Sequence, residues 1–181
     1  MLASRSPRRA DLLTSAGYDF EVAPADIDER LLDGETPAAY VRRLARKKAA
    51  LVARGHPTSI VLGADTVVVV DGVVLGKPAD DADAAGMLGR LSGRTHDVLT
   101  GVALHTGNGQ RGEVERTQVT FRTLIAAEIA WYVGSGEPVG KAGAYAIQGR
   151  ASRFVTRIEG SYTNVVGLPI ALVDHLLRAF Q

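Results

Sequence analysis

Between Ile60 and Val70 the chain is almost wholly apolar and largely β-branched, yet Gly63-Ala64-Asp65-Thr66 stands in the middle of the run. Such a stretch reads as a buried strand. The Asp71-Gly72 pair that follows, with Val73 to Leu75 after it, is a hairpin signal. A carboxylate within a buried strand is expensive unless it is paired or coordinates a cation. Gly-x-Asp is also ordinary turn chemistry. The apolar flanks favour a functional Asp65 at a strand end or bulge, where catalytic groups often sit.

The remaining elements alternate around this strand. Met1 to Ala3 predicts a very short first strand. A helix over 7–16 follows, with Ser6 at the N-cap, Pro7 at the first helical position and Gly17 closing it. A strand is expected at Asp19 to Val22 and a helix from about Pro37 to Ala53. Further helices are expected near Asp81 to Leu91, Ala126 to Val133 and Leu168 to Phe180. Strands are expected at Thr95 to His105 and Glu113 to Arg122, around the turn-rich Gly107 to Gly112, and at Phe154 to Ile158. The pattern predicts an α/β fold around a mixed sheet.

Bulk properties narrow the function classes. A chain of 181 residues suits one domain, or one domain with a lobe. The net charge of +1 gives no global basic field, so neither nucleic acid nor an anionic membrane is the expected partner. The absence of cysteine excludes disulfides and thiolate metal sites. No apolar run approaches a membrane span of about 18 residues, and charge begins at Arg5, unlike a signal peptide. A cytoplasmic protein is the default expectation.

Several polar groups occupy places that stability alone would not select. Arg8 and Arg9 fall in the first turn of the first helix, where the helix dipole already contributes positive charge. With Ser4 and Ser6 beside them they suit an anion, a phosphate chain above all; a solvated Arg pair is the other reading. In the second helix Lys48 lies within the apolar stripe of Tyr40, Val41, Leu44, Leu51 and Val52. Either its stem snorkels to water or its ammonium is held for a phosphate. Gly76-Lys77-Pro78 presents a lysine on a stiff turn. Ser92-Gly93-Arg94-Thr95-His96 is a polar cluster in which Gly93 can end a helix in the left-handed conformation, and His96 has no partner at metal-ligand spacing. Lys141 to Tyr145 with Gln148-Gly149, and Gly160 to Asn164, are small-residue stretches that match no Walker or dinucleotide fingerprint. No Gly-x-Ser-x-Gly elbow or His-Glu-x-x-His helix is present. Glu29 and Asp65 are the candidate carboxylates for a divalent metal or a base, and phosphoryl-transfer sites are built mainly from such positioning and electrostatic groups.

The ordered set of segments resembles the Maf-like nucleotide pyrophosphatases over essentially the whole chain. It comprises Leu2 to Arg9, Ala45 to Ala49, Gly63 to Thr66, Gly76 to Pro78, Leu91 to His96, Thr120 to Arg122, Glu137-Pro138, Lys141 to Tyr145, Gln148-Gly149 and Gly160 to Pro169. The resemblance implies a single domain over 1–181, similar to the inosine triphosphate pyrophosphatase architecture, with two lobes around a cleft. It implies hydrolysis of nucleoside triphosphates to monophosphate and pyrophosphate with a divalent cation, Mg²⁺ or Mn²⁺, as house-cleaning of the nucleotide pool. It admits a homodimer. Arg9, Lys48 and Lys77 are expected to hold the triphosphate, with Ser4 and Ser6 beside it. Glu29 and Asp65 are expected to hold the metal, and Asp65 to accept the proton of the attacking water.

Within that family Arg8, Thr66 and Gln148 look like the dTTP/UTP type and are expected to read the base. A Gln amide can meet both a donor and an acceptor on a pyrimidine imide edge. The type acting on 7-methyl-GTP carries a Trp after the Pro and a Glu before the Gly, and neither is found here. The alternatives are a nucleotide-binding regulator of cell division with little hydrolysis, and a 7-methyl-GTP or purine pyrophosphatase on the same scaffold. Family members usually have a few more residues before Leu2, so the first strand is expected to be almost absent, or an upstream start to exist.

Overall fold

A computed structural model of the chain describes residues 1–107, 109–178 and 180. Its elements are α1 (Pro7–Ser15), α2 (Pro37–Ala53), β1 (Val61–Val70), β2 (Val73–Leu75), α3 (Asp81–Leu91), β3 (Thr95–Thr106), β4 (Gly109–Phe121), α4 (Ala126–Val133), β5 (Val155–Glu159), α5 (Tyr162–Val166) and α6 (Ile170–Arg178). The strands form one five-stranded sheet in the order β2-β1-β3-β4-β5. The fold is mixed α/β, as the alternation predicts. Asn108, in the expected turn, and Ala179, in the expected closing helix, lie outside the described residues. Among the described residues no helix is long and apolar enough to cross a membrane.

The chain divides into two compact units. One comprises Met1–Thr66, Leu99–Glu115 and Gly167–Gln181, the other Val67–Val98 and Arg116–Val166. In the first unit Leu2, Leu13, Leu62, Val102, Leu104, Leu168, Val173 and Leu176 share one buried cluster. Ala3, Ala45, Ala49, Val52, Val61 and Ala103 share another, between α2 and the strands. The small residues there matter. A Cβ on Gly63 of β1 would lie 2.2 Å from the Ala45 carbonyl, and one on Gly101 of β3 would lie 2.2 Å from the Val41 carbonyl. Helix α2 therefore rests on β1 and β3 backbone to backbone, a separation that only glycine permits.

In the second unit the Asp71-Gly72 turn has φ of 51° and 74°, the double positive φ of a tight hairpin turn. It sets the antiparallel register Val68↔Leu75, Val69↔Val74 and Val70↔Val73. Strands β4 and β5 are antiparallel, with an irregularity between Thr120 and Phe121. His96, Phe121, Tyr145, Phe154 and Tyr132 form a chain of edge-to-face ring contacts in this unit's core.

Four local expectations change. Asp19 to Val22 is not a named strand: Leu2 makes isolated parallel bridges to Val22 and Leu62, so three short stretches share a few bonds. Strand β1 runs unbroken through Gly63-Ala64-Asp65, and Asp65 is mid-strand rather than at an end or bulge. Ser6 occupies the N-cap position of α1, but its side chain makes no capping bond. Helix α5 begins within the small-residue stretch Gly160 to Asn164, for which the sequence alone predicts no helix, because the Ser161 hydroxyl accepts from Asn164 N and starts the turn.

Candidate active site

Two charged networks lie in the first unit. The first joins α2 to β1. Lys48 is 8% exposed and Asp65 is 8% exposed, both too buried to rely on water. The Lys48 Nζ donates to Asp65 Oδ1 at 2.6 Å and lies 2.6 Å from Glu29 Oε1. The snorkelling alternative for Lys48 is thereby excluded: its ammonium lies among carboxylates, beneath the surface. The glycine contact at Gly63 explains the geometry, since it brings α2 close enough for a lysine to reach the neighbouring strand. Glu29 arrives on the loop before α2, where Tyr40 Oη donates to its backbone carbonyl at 2.7 Å. Burial, then the charges of Asp65 and Glu29, push the Tyr40 phenol up to about 12, so it stays a neutral donor.

The second network centres on Arg9, which is also 8% exposed. Its Nε donates to the Gly167 carbonyl at 2.9 Å, and one terminal nitrogen donates to Ser4 Oγ at 3.1 Å and the Ala64 carbonyl at 2.8 Å. The other terminal nitrogen donates to Thr66 Oγ1 at 3.1 Å. Burial lowers the Arg9 pKa and the Asp65 charge opposes that shift; an arginine keeps its charge regardless. Thr66 Oγ1 also bonds Thr100 Oγ1 at 2.9 Å and donates to the Gly167 carbonyl at 3.2 Å. Ser4 Oγ accepts from Ser6 N as well. These bonds hold the Ser4–Ser6 turn, the start of α1 and the middle of β1 in one frame. Arg8 is half-buried on α1, directly before Arg9.

Of the residues predicted from sequence, Ser4, Ser6, Arg8, Arg9, Glu29, Lys48, Asp65 and Thr66 therefore belong to one unit. Lys77 and Gln148 belong to the other, both exposed on turns. Sequence reasoning missed Tyr40, Thr100 and the Gly167 carbonyl. Tyr40 was detectable, because it precedes Lys48 by two helical turns and shares its face. The Gly167 carbonyl carries no side-chain signal.

Among the described residues no group of three His, Cys, Asp or Glu side chains is placed to hold a metal. Glu29 and Asp65 do converge on one point, the Lys48 ammonium. Two carboxylates suit Mg²⁺, which is commonly held by one or two of them plus substrate phosphates rather than by an all-protein cage.

The family model for Maf-like protein matches residues 1–180. The chain is 53% identical over 180 residues to a protein named dTTP/UTP pyrophosphatase from Symbiobacterium thermophilum, covering 99% of this chain and 93% of that one. It is 54% identical over 178 residues to one of the same name from Koribacter versatilis, covering 98% and 92%. A third, from Myxococcus xanthus, is 55% identical over 178 residues, covering 98% and 90%.

Proposed function

The chain belongs to the Maf-like protein family, and on that premise we propose that it hydrolyses dTTP and UTP to the monophosphate and pyrophosphate. The relatives of that name, each more than half identical across nearly the whole chain, support the substrate class. The observation that carries the chemistry is the buried Lys48 ammonium shared by Asp65 and Glu29. The whole of 1–181 acts as one such domain, in the cytoplasm, clearing unwanted nucleotides.

In this reading Asp65 is the proton acceptor. Without substrate its charge is balanced by Lys48. Phosphate oxygens compete for the ammonium, and Asp65 is left to accept a proton from water. The water oxygen forms a bond to the α-phosphorus, the bond from that phosphorus to the bridging oxygen breaks, and pyrophosphate leaves with the electron pair. Lys77 and the start of α1, with Ser4 and Ser6, hold the phosphates. Arg9 has five N–H groups and four bonds already made, so it serves mainly to frame the site and offers one remaining donor. Glu29 and Asp65 would hold a divalent cation, Mg²⁺ or Mn²⁺, which would neutralise charge on the phosphate oxygens. Arg8, Thr66 and Gln148 select the base, Thr66 through the position its hydroxyl bonds impose.

The test is a panel of dTTP, UTP, ATP, GTP and 7-methyl-GTP with purified protein and Mg²⁺ or Mn²⁺. Pyrophosphate release, fastest with dTTP and UTP, is expected. Orthophosphate as the sole inorganic product would defeat the reaction type. Preference for 7-methyl-GTP would overturn the base assignment. Tight binding without turnover would favour a nucleotide-binding regulator.

A further inference from the structure

We infer that Tyr132 and Glu137 form a brace that sets the position of Gln148, making both positioning residues for pyrimidine selection. The inference rests on the reading of Gln148 as the residue that contacts the base. Gln148 sits on an exposed turn within the second unit. A side chain there selects a base only if its backbone is held, because an unheld turn lets the amide follow any ligand.

The turn is held on both sides by one relay. Two residues before Gln148, the Ala146 N–H donates to Tyr132 Oη at 3.2 Å. Two residues after it, the Arg150 N–H donates to Glu137 Oε2 at 3.1 Å. Tyr132 Oη donates in turn to Glu137 Oε1 at 2.9 Å and closes the relay. Tyr132 is fully buried at the end of α4; burial, and then its hydrogen bond to Glu137, raise its pKa against the opposing Ala146 N–H, so it keeps the proton it donates. Glu137 is fixed locally, since Ser135 Oγ accepts from Glu137 N and donates to the Tyr132 carbonyl.

Gly149 packs against the same carboxylate. A Cβ there would lie 2.3 Å from Glu137 Oε1 and 2.6 Å from Oε2. The residue next to Gln148 thus lies flat against the carboxylate, and any side chain would push the carboxylate off both of its donors. Tyr145, three residues before Gln148, is held separately by the 2.9 Å bond between its hydroxyl and His96 Nε2. The Glu137 relay acts on the 146–150 turn.

The test compares Gln148→Ala, Tyr132→Phe, Glu137→Gln and Gly149→Ala in steady-state kinetics with UTP and GTP. Tyr132→Phe removes the acceptor for Ala146 N, and Glu137→Gln weakens the acceptor for Arg150 N. Each is expected to raise KM for UTP about five- to tenfold, the effect of about one hydrogen bond, with kcat changed less than about twofold. The UTP-over-GTP ratio of kcat/KM should fall as it does in Gln148→Ala. Gly149→Ala should raise KM in the otherwise unchanged chain and add nothing in a Glu137→Ala background, where the carboxylate it displaces is gone. A selectivity shift in Gln148→Ala with none in the folded Tyr132→Phe and Glu137→Gln variants would overturn the brace and leave the base contact standing. No shift in Gln148→Ala would remove the base contact and the brace with it. A fall in kcat and melting temperature at constant KM would make the relay merely structural and overturn the inference.

Discussion

Lys48 of α2 and Asp65 of β1, seventeen residues apart in the chain, meet in a 2.6 Å hydrogen bond with both side chains almost fully buried. Neither group could be left in that position alone, because an unpaired buried charge is far costlier than a paired one. Glu29 gives the ammonium a second carboxylate.

Asp65→Asn is expected to leave a folded protein, since Glu29 still balances Lys48, and to lower kcat about 10²- to 10⁴-fold, the usual effect of losing a general base. Pyrophosphate release measured beside the thermal transition checks this. Near-normal turnover in a folded variant would remove Asp65 from the chemistry.

Gly63→Ala is expected to damage stability and activity together. The new methyl would meet the Ala45 carbonyl at 2.2 Å and the Ala49 nitrogen at 2.7 Å, neither of which can swing away. Overpacking of this kind costs roughly 1–3 kcal/mol, and displacement of α2 draws Lys48 from Asp65. Urea unfolding and kinetics on the same preparation test both halves, and retained activity at reduced stability would break the link between them.

Arg9→Lys is expected to be no substitute for arginine. A lysine ammonium cannot reach acceptors at Gly167, Ser4, Ala64 and Thr66 together, as the guanidinium fork does. Leaving buried carbonyls unpaired costs about 1–3 kcal/mol each, so a drop in melting temperature of roughly 10 °C is anticipated for a chain of this size. A melting point within a degree or two of the parent's would show that the frame does not depend on Arg9.

Stability is expected to fall in mild acid because of His96. Burial lowers its pKa to about 4 from an ordinary 6.5, with Asp97 opposing in part. The unfolded chain therefore binds a proton that the folded one refuses. The contribution is intact above pH 6.5 and is lost as pH falls toward about 4, amounting to about 3 kcal/mol in full. His96→Asn should flatten the stability profile over that window in denaturant titrations. An unchanged slope would place the acid sensitivity elsewhere.

Much of this molecule was legible where the signal was local. Helix α2 spans the expected Pro37–Ala53 because Thr36 accepts from Ala39 N and Pro37 occupies the first turn. The Asp71-Gly72 turn and the left-handed Gly93 follow from backbone preferences within a few residues. The suspicion attached to Lys48 and Asp65 was likewise available, because a charge within an apolar stripe or strand demands a partner. The sequence thus determined which groups must be paired. Only the tertiary structure decided with what. Arg9 finds its acceptors at Ser4, Ala64, Thr66 and Gly167, the last 158 residues away. Asp65 stays within an unbroken strand, not at a bulge, because Gly63 admits α2 and brings Lys48 across to neutralise it. Period and propensity report which face a residue presents, whereas the partner is chosen by how closely two backbones pack.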